Sequence, residues 1–333
     1  MDSLETLPLV TLYLTERCNS RCVSCDHWRT GRSDLSAAQV DGWLPALRAL
    51  GTRVVLFSGG EPLLHPEWPA IAQSLAAQGL QVWLLTAGLA LAKHAEQVAR
   101  RFDSITVSLD GATRETYLAV RGVDAFDAVC EGVQRVAALG CPAQLRVTVQ
   151  RANFRELPRI VELAHEIGAA GVSFLAADVG NVQAFGRDAS LTAQPSIALR
   201  REELAEFAAV LDRLEREHAA DFASRFIAES PAKLRRLLQY FSALCGEGDF
   251  PAVRCNAPEF SAVIEADGRL RPCFFIAGPG AAAGDTLLPG LNDPLLARLR
   301  ADIRHGRRAE CQRCVCSMWR TPHEAAEFGR RAA

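Results

Sequence analysis

The chain has 333 residues, 49% of them apolar, which is ample material for a core. Lys and Arg number 37 against 39 Asp and Glu, a net charge of −2 that excludes a generally basic nucleic-acid binder and an acidic disordered tail. The longest apolar stretch, Leu80 to Ala92, is too short and interrupted to span a bilayer, and Met1-Asp2-Ser3-Leu4-Glu5 does not begin a signal peptide. The expectation is a cytoplasmic protein with neither membrane nor nucleic-acid partner.

Short β-rich apolar runs recur at Val10–Leu14, Val54–Phe57, Val82–Leu85, Ile105–Leu109, Leu145–Val149 and Val172–Leu175. Helical periodicity fills the gaps. Trp68, Ile71, Ala72 and Leu75 share a face that ends at Gly79. Phe126, Val129, Cys130, Val133, Val136 and Ala137 share one that ends at Gly140, and Leu157, Ile160, Val161, Ala164 and Ile167 one that ends at Gly168. Near-continuous apolar strands alternating with amphipathic helices predict a parallel sheet covered by helices. Six such units fit an incomplete (β/α)6 barrel better than a closed eight-unit one; pattern alone leaves an open doubly wound sheet as the alternative. Residues 178–198 read as a loop, followed by helices over Leu199–His218 and Pro231–Leu244. Strands at Ala262–Glu265 and Arg269–Arg271 flank Asp267-Gly268, a hairpin turn signal, and a last helix covers Pro294–Arg304. The tail has too few apolar residues to build its own core, so a metal staple makes physical sense.

Eleven cysteines need an account. A large chain without an export signal is a poor setting for disulfides, and clustered thiols there more often bind metal or do chemistry. Eight fall into two sets: Cys18, Cys22 and Cys25, then Cys255, Cys273, Cys311, Cys314 and Cys316. The first set follows the first strand, at the end where α/β barrels collect their chemistry. Three thiolates can hold three irons of a cubane cluster and leave the fourth open to a small molecule. A fourth ligand such as His27 would instead complete a zinc site.

Cys18-x3-Cys22-x2-Cys25 after Leu12-Tyr13-Leu14-Thr15 resembles the radical S-adenosylmethionine (radical SAM) enzymes. Ser58-Gly59-Gly60-Glu61-Pro62 after the second strand and Val107-Ser108-Leu109-Asp110-Gly111 at the fourth match the same superfamily. The resemblance covers roughly residues 8–180. Two positions depart from it: Ser24 stands where an aromatic residue usually precedes the third cysteine, and Ala87 where Asn is common. The resemblance implies a [4Fe–4S] cluster on Cys18, Cys22 and Cys25 that chelates S-adenosylmethionine. Gly59, Gly60 and Glu61 would meet its amino end, and Ser108, with Arg121 as a second choice, its carboxylate. A reductant such as flavodoxin or ferredoxin would feed the cluster, and a 5′-deoxyadenosyl radical would take a hydrogen atom from substrate.

Cys255 and Cys273 bracket the predicted hairpin, with Gly268 ahead of Cys273, and Cys311-x2-Cys314-x-Cys316 lies beyond the last helix. Cys255, Cys273, Cys311 and Cys314 make one four-thiolate site, with Cys316 as an alternative ligand. The pattern is similar to the SPASM and shortened twitch extensions that carry auxiliary [4Fe–4S] clusters; structural zinc remains open on spacing alone. The expected organisation is a partial-barrel core over 1–180, a connector over 181–249, an auxiliary-cluster domain over 250–320 and a tail over 321–333. Cys130 and Cys141 read as packing residues. Cys245, His65 and Asp178 are candidate hydrogen-atom or proton donors. Arg307-Arg308 and Arg330-Arg331 read as solvated faces.

With only 17 residues before Cys18, an N-terminal peptide-recognition domain is not expected. That favours a small biosynthetic metabolite undergoing oxidation, epimerisation or bond formation. A ribosomally made peptide as substrate, and a non-catalytic iron–sulfur or zinc redox sensor, are the alternatives.

Overall fold

A computed structural model of the chain describes residues 3–187 and 195–329. Met1, Asp2, Arg330, Arg331 and positions 188–194 of the 178–198 loop lie outside the described residues. Eight strands form one sheet: β1 (Leu9–Thr15), β2 (Val54–Gly59), β3 (Gln81–Thr86), β4 (Ser104–Ser108), β5 (Gln144–Val149), β6 (Gly171–Ala176), β7 (Ser261–Ile264) and β8 (Leu270–Arg271). Their order is β6-β5-β4-β3-β2-β1-β7-β8. The first six are parallel and run in chain order from one edge, the arrangement of an open βα barrel.

The principal helices are α1 (Ala37–Ala49), α2 (Trp68–Ala77), α3 (Leu91–Arg101), α4 (Arg114–Arg121), α5 (Phe126–Ala138), α6 (Leu157–Glu166), α7 (Leu204–Glu217), α8 (Pro231–Leu244) and α9 (Pro294–Arg304). The α7 helix starts later than its periodicity predicts, because a 3-10 turn over Arg201–Glu203 leads into it. Of these helices, α1, α3 and α4 carry no expectation from periodicity. In α1 the start is set by a capping box, in which Ser36 Oγ accepts from Gln39 N and Gln39 returns a bond to Ser36 N.

The strands are not apolar on both faces, as their runs suggest. In β3, β4 and β5 burial alternates strictly. Val82, Leu84, Ile105, Val107, Leu145 and Val147 are fully or almost fully buried in the core. Gln81, Trp83, Leu85, Ser104, Thr106, Ser108, Gln144, Arg146 and Thr148 form the opposite, half-exposed and mostly polar face. A barrel whose inner wall is polar and incompletely packed has a lumen to offer rather than a filled core.

The C-terminal hairpin does not stand apart from the barrel. The β7 strand pairs in parallel with β1 from Leu9↔Ser261 to Leu12↔Ile264, and β8 pairs antiparallel with β7. The tail's shortage of apolar residues is thus made good by the edge of the barrel. Ile264 and Leu270 bury completely or nearly so against the shared core, each contributing about 1.5–3 kcal/mol. The last described residues close on the sheet as well: Gln81 Nε2 donates to Gly329 O at 2.6 Å, and Phe328 packs 5.6 Å from Trp83. No helix among the described residues is long and apolar enough to cross a membrane.

Candidate cluster and cofactor site

The Cys18–Cys25 loop leaves the end of β1 and is clamped in three places. Arg21 N and Val23 N donate to Arg121 O and Val120 O at the end of α4, at 2.9 and 3.1 Å. Gly122 there is left-handed (φ +69°), and a Cβ on it would overlap the Arg21 carbonyl. Gly60 N and Glu61 N donate to Thr15 O and Arg17 O, both at 2.8 Å, and a Cβ on Gly60 would overlap the Arg17 carbonyl. Arg187 Nη2 donates to Ser24 O at 2.7 Å, and Asp26 N to Phe185 O at 2.9 Å. The loop's shape is therefore dictated by backbone bonds to three different βα connections.

The clamps bring the three thiols into one field. Burial pushes the Cys18 thiol up to about 11, and Glu61 and Cys22 add to it. Burial pushes Cys25 up to about 12, with Cys22 and Cys18 adding, and raises Cys22 as well. Arg121 works against the rise at all three. Neutral thiols crowded in a dry site become good ligands once a cation is supplied, because a metal reverses the local pKa logic. Asn19 Oδ1, Ser20 Oγ, Tyr117 OH and Arg121 Nε are buried around this loop without hydrogen-bond partners, which fits a cradle built for a further group. Among the described residues no three Cys, His, Asp or Glu side chains converge on one metal ion. A cubane places each cysteine on its own iron, so its donors stand wider apart.

The flanking motifs divide their work. Glu61 is fully buried, and its carboxylate accepts from Leu63 N at 3.0 Å, Thr86 Oγ1 at 2.8 and 2.9 Å, and Ala87 N at 2.7 Å. Burial pushes its carboxyl up while these donors and Arg121 pull it down. It joins the end of β2 to the end of β3 and so fixes Gly59 and Gly60. With the Gly60 N–H spent on Thr15, the carbonyl is what Gly60 can present to a ligand. Arg121 is largely shielded and paired with Asp110, Nη1 to Oδ2 at 3.1 Å, and buried Asp110 also accepts from Thr148 N at 2.6 Å. Ser108 sits half-buried at the end of β4.

Five thiols gather in the C-terminal set. Burial raises Cys273, Cys311, Cys314 and Cys316, and each also feels Cys255; Cys311 and Cys314 feel Cys273 too. Cys311 reaches about 12. Backbone N–H groups point at sulfur: Phe275 and Ile276 at Cys273, and Cys316 N at Cys314 Sγ, 3.3 Å. Asn256 is the staple between segments far apart in sequence. Its Nδ2 donates to Arg320 O at 2.8 Å, its Oδ1 accepts from Arg320 N at 2.9 Å, and its own N donates to Met318 O at 2.9 Å. Tyr13, on the lumen face of β1, lies within electrostatic reach of both Cys25 and Cys273. It packs its ring on His27 (5.6 Å) and Phe274 (6.4 Å), so the two cysteine sets share one wall.

The remaining candidates lie in structural settings. Asp178 pairs with Arg187 at 3.2 Å and accepts from Asn181 N at 2.9 Å. His65 is buried, its Nδ1 accepts from Glu67 N at 3.1 Å, and burial lowers its pKa. Cys245 caps α8 with Sγ 3.5 Å from Leu199 O. His27 stands with its ring against Tyr13, and burial lowers its pKa to about 4. Sequence reasoning assigned no role to Tyr13, Asp110, Asn256 and Arg187. Of these only Asp110 carried a signal, as the acid of the Ser108-Leu109-Asp110 motif.

Residues 12–164 match the family model described as the radical SAM superfamily, and this stretch of the chain is a radical SAM domain, of the kind that binds a [4Fe–4S] cluster and S-adenosylmethionine. Among its relatives is the AdoMet-dependent heme synthase of Methanosarcina barkeri, 31% identical over 167 residues, covering 48% of each chain. The PqqA peptide cyclase of Streptomyces rochei is 31% identical over 178 residues, covering 52% of this chain and 48% of that protein. The chain thus spans about half the length of the curated relatives it matches. Streptococcus suis SuiB bound to S-adenosylmethionine shares the fold with a TM-score of 0.66 at 14% identity, over 95% of this chain and 74% of that one. AnSMEcpe, solved with bound AdoMet and a Cp18Cys peptide, aligns with a TM-score of 0.64 at 17% identity, over 93% of this chain and 86% of that one.

Proposed function

We propose that the chain is a radical SAM enzyme with a [4Fe–4S] cluster on Cys18, Cys22 and Cys25, S-adenosylmethionine beside it, and an auxiliary [4Fe–4S] cluster on Cys255, Cys273, Cys311 and Cys314, Cys316 being the alternative ligand. The observation that carries this reading is the clamped three-thiol loop with unpartnered polar atoms around it. Such a cluster, once reduced, supplies the electron that splits S-adenosylmethionine into methionine and a 5′-deoxyadenosyl radical, which takes a hydrogen atom from substrate. The chain does the rest. Arg121, held by Asp110, is a fixed cation for the cofactor carboxylate, with the Ser108 hydroxyl as a second donor. The Gly60 carbonyl accepts from the cofactor ammonium, and Glu61 holds that carbonyl in position. Tyr13 and Phe274 keep water from the wall between the cysteine sets.

The substrate is a small biosynthetic metabolite that is oxidised, epimerised or joined. Reduction comes from a flavodoxin- or ferredoxin-like donor. A second reading, modification of a ribosomally made peptide, is supported by the likeness to the PqqA peptide cyclase and by the fold shared with SuiB, which has also been solved with its precursor peptide SuiA. Anaerobic reconstitution tests the class: the enzyme holds about eight irons and releases 5′-deoxyadenosine on reduction. Zinc occupancy, or no 5′-deoxyadenosine, would leave a non-catalytic redox protein instead. Transfer of deuterium from a labelled metabolite or peptide into 5′-deoxyadenosine then decides the substrate.

A further inference from the structure

The inner wall of the barrel carries a cation that the described residues do not neutralise. Arg146 stands on β5 between Gln144 and Thr148, in the half-exposed set of that strand. Register places it beside Ser108 of β4 and Ser173 of β6. Its Nε is shielded from solvent and has no hydrogen-bond partner. The acid on this side of the wall, Glu229, is already engaged: it accepts from Ser173 Oγ at 3.0 Å and Phe174 N at 2.8 Å, and lies 3.6 Å from Lys233 Nζ. Arg146 and Lys233 both lie within electrostatic reach of Cys316.

A half-buried guanidinium without a counter-charge is costly to keep, and its planar fork matches a carboxylate or a phosphate. The hydroxyls of Thr106 and Thr148 belong to the same face and suit the polar remainder of such a ligand. Arg121, held by Asp110, is already assigned to the cofactor carboxylate, which leaves Arg146 as the cation for a second anion.

We propose that Arg146 is the anion-recognition residue of the reaction chamber, and that the substrate is an acid whose carboxylate or phosphate it holds on the inner wall between β4 and β6. This rests on the reading of the lumen as the chamber of a radical SAM enzyme.

The test is isothermal titration of the reconstituted holoenzyme, saturated with S-adenosylmethionine, with succinate and with inorganic phosphate. Wild-type protein binds at least one of them saturably at one site. Arg146→Met weakens that binding about tenfold or more, and Arg146→Lys restores most of it. Tighter succinate binding assigns a carboxylic acid as substrate, and tighter phosphate binding a phosphate ester. Absence of saturable binding, or equal affinity in Arg146→Met, overturns the proposal. So does an equal loss of S-adenosylmethionine affinity in Arg146→Met, which would give Arg146 to the cofactor. A shifted auxiliary-cluster potential with unchanged anion affinity overturns it too, by making Arg146 a counter-ion of the cluster. The titration needs no turnover, so its failure is distinct from a failure to form 5′-deoxyadenosine.

Discussion

The two cysteine sets are assembled in opposite ways. Cys18, Cys22 and Cys25 lie on one short loop whose backbone and flanks are tied to Arg121, Glu61 and Phe185 by the surrounding protein. Their geometry is supplied by the barrel. Cys255, Cys273, Cys311, Cys314 and Cys316 come from three separate segments, brought together by long-range contacts such as those of Asn256 with Arg320, Arg254 with Trp319, Glu259 with Arg304 and β7 with β1. A metal bound there, as proposed, would close long loops, so binding it would also fold the extension. In the proposed reading, the first site leaves a coordination position open. The other has more thiols than a cluster needs. The contrast predicts that ligand loss at the first site harms chemistry, and at the second, stability.

The largest effect separates the sites by activity. Cys22→Ala should cut 5′-deoxyadenosine formation by more than about a hundredfold, beyond the usual cost of losing an outer-shell partner, as read by chromatography after reduction. Cys311→Ala should spare that cleavage, lower iron from about eight to about four per chain, and depress product formation from the true substrate. It should also lower the melting temperature more than Cys22→Ala does; equal losses in calorimetry would erase the contrast.

Next comes the choice of fourth auxiliary ligand. Cys314→Ala should lose the auxiliary cluster and Cys316→Ala keep it, measured by iron content and EPR, and the reverse would exchange their roles. Smaller effects belong to the clamps. Gly122→Ala forces a Cβ onto the Arg21 carbonyl at a left-handed position, at a cost of more than about 1 kcal/mol in chemical denaturation. Glu61→Gln puts an amide where Leu63 N, Thr86 Oγ1 and Ala87 N need an acceptor, which costs about 1–3 kcal/mol and loosens the Gly59-Gly60 turn.

The same contrast explains what could be read from the chain. The first cysteine set was legible because its donors are local, and Gly59-Gly60-Glu61 because its glycines answer a backbone constraint. The six strands were legible from their apolar runs. Their two-faced character was not: Gln144, Arg146 and Thr148 alternate with buried residues, and a residue-by-residue hydropathy pattern cannot tell a lumen from bulk water. The roles of Asn256, and of Tyr13 beyond its place in the strand before the first cysteines, were invisible for another reason. They act on partners tens or hundreds of positions away. The start of α1 was missed although Ser36 and Gln39 have capping-box spacing, because Pro45 interrupts the helical signal that follows.

The most direct measurement is electron–nuclear double resonance on the reduced, anoxically reconstituted protein with S-adenosylmethionine labelled by 15N at its amino group and 17O at its carboxylate. Coupling of both labels to a cluster that Cys311→Ala leaves intact and Cys22→Ala removes is the predicted result. A cluster at Cys18, Cys22 and Cys25 that shows no coupling to either label, with its irons all held by the polypeptide, would contradict it.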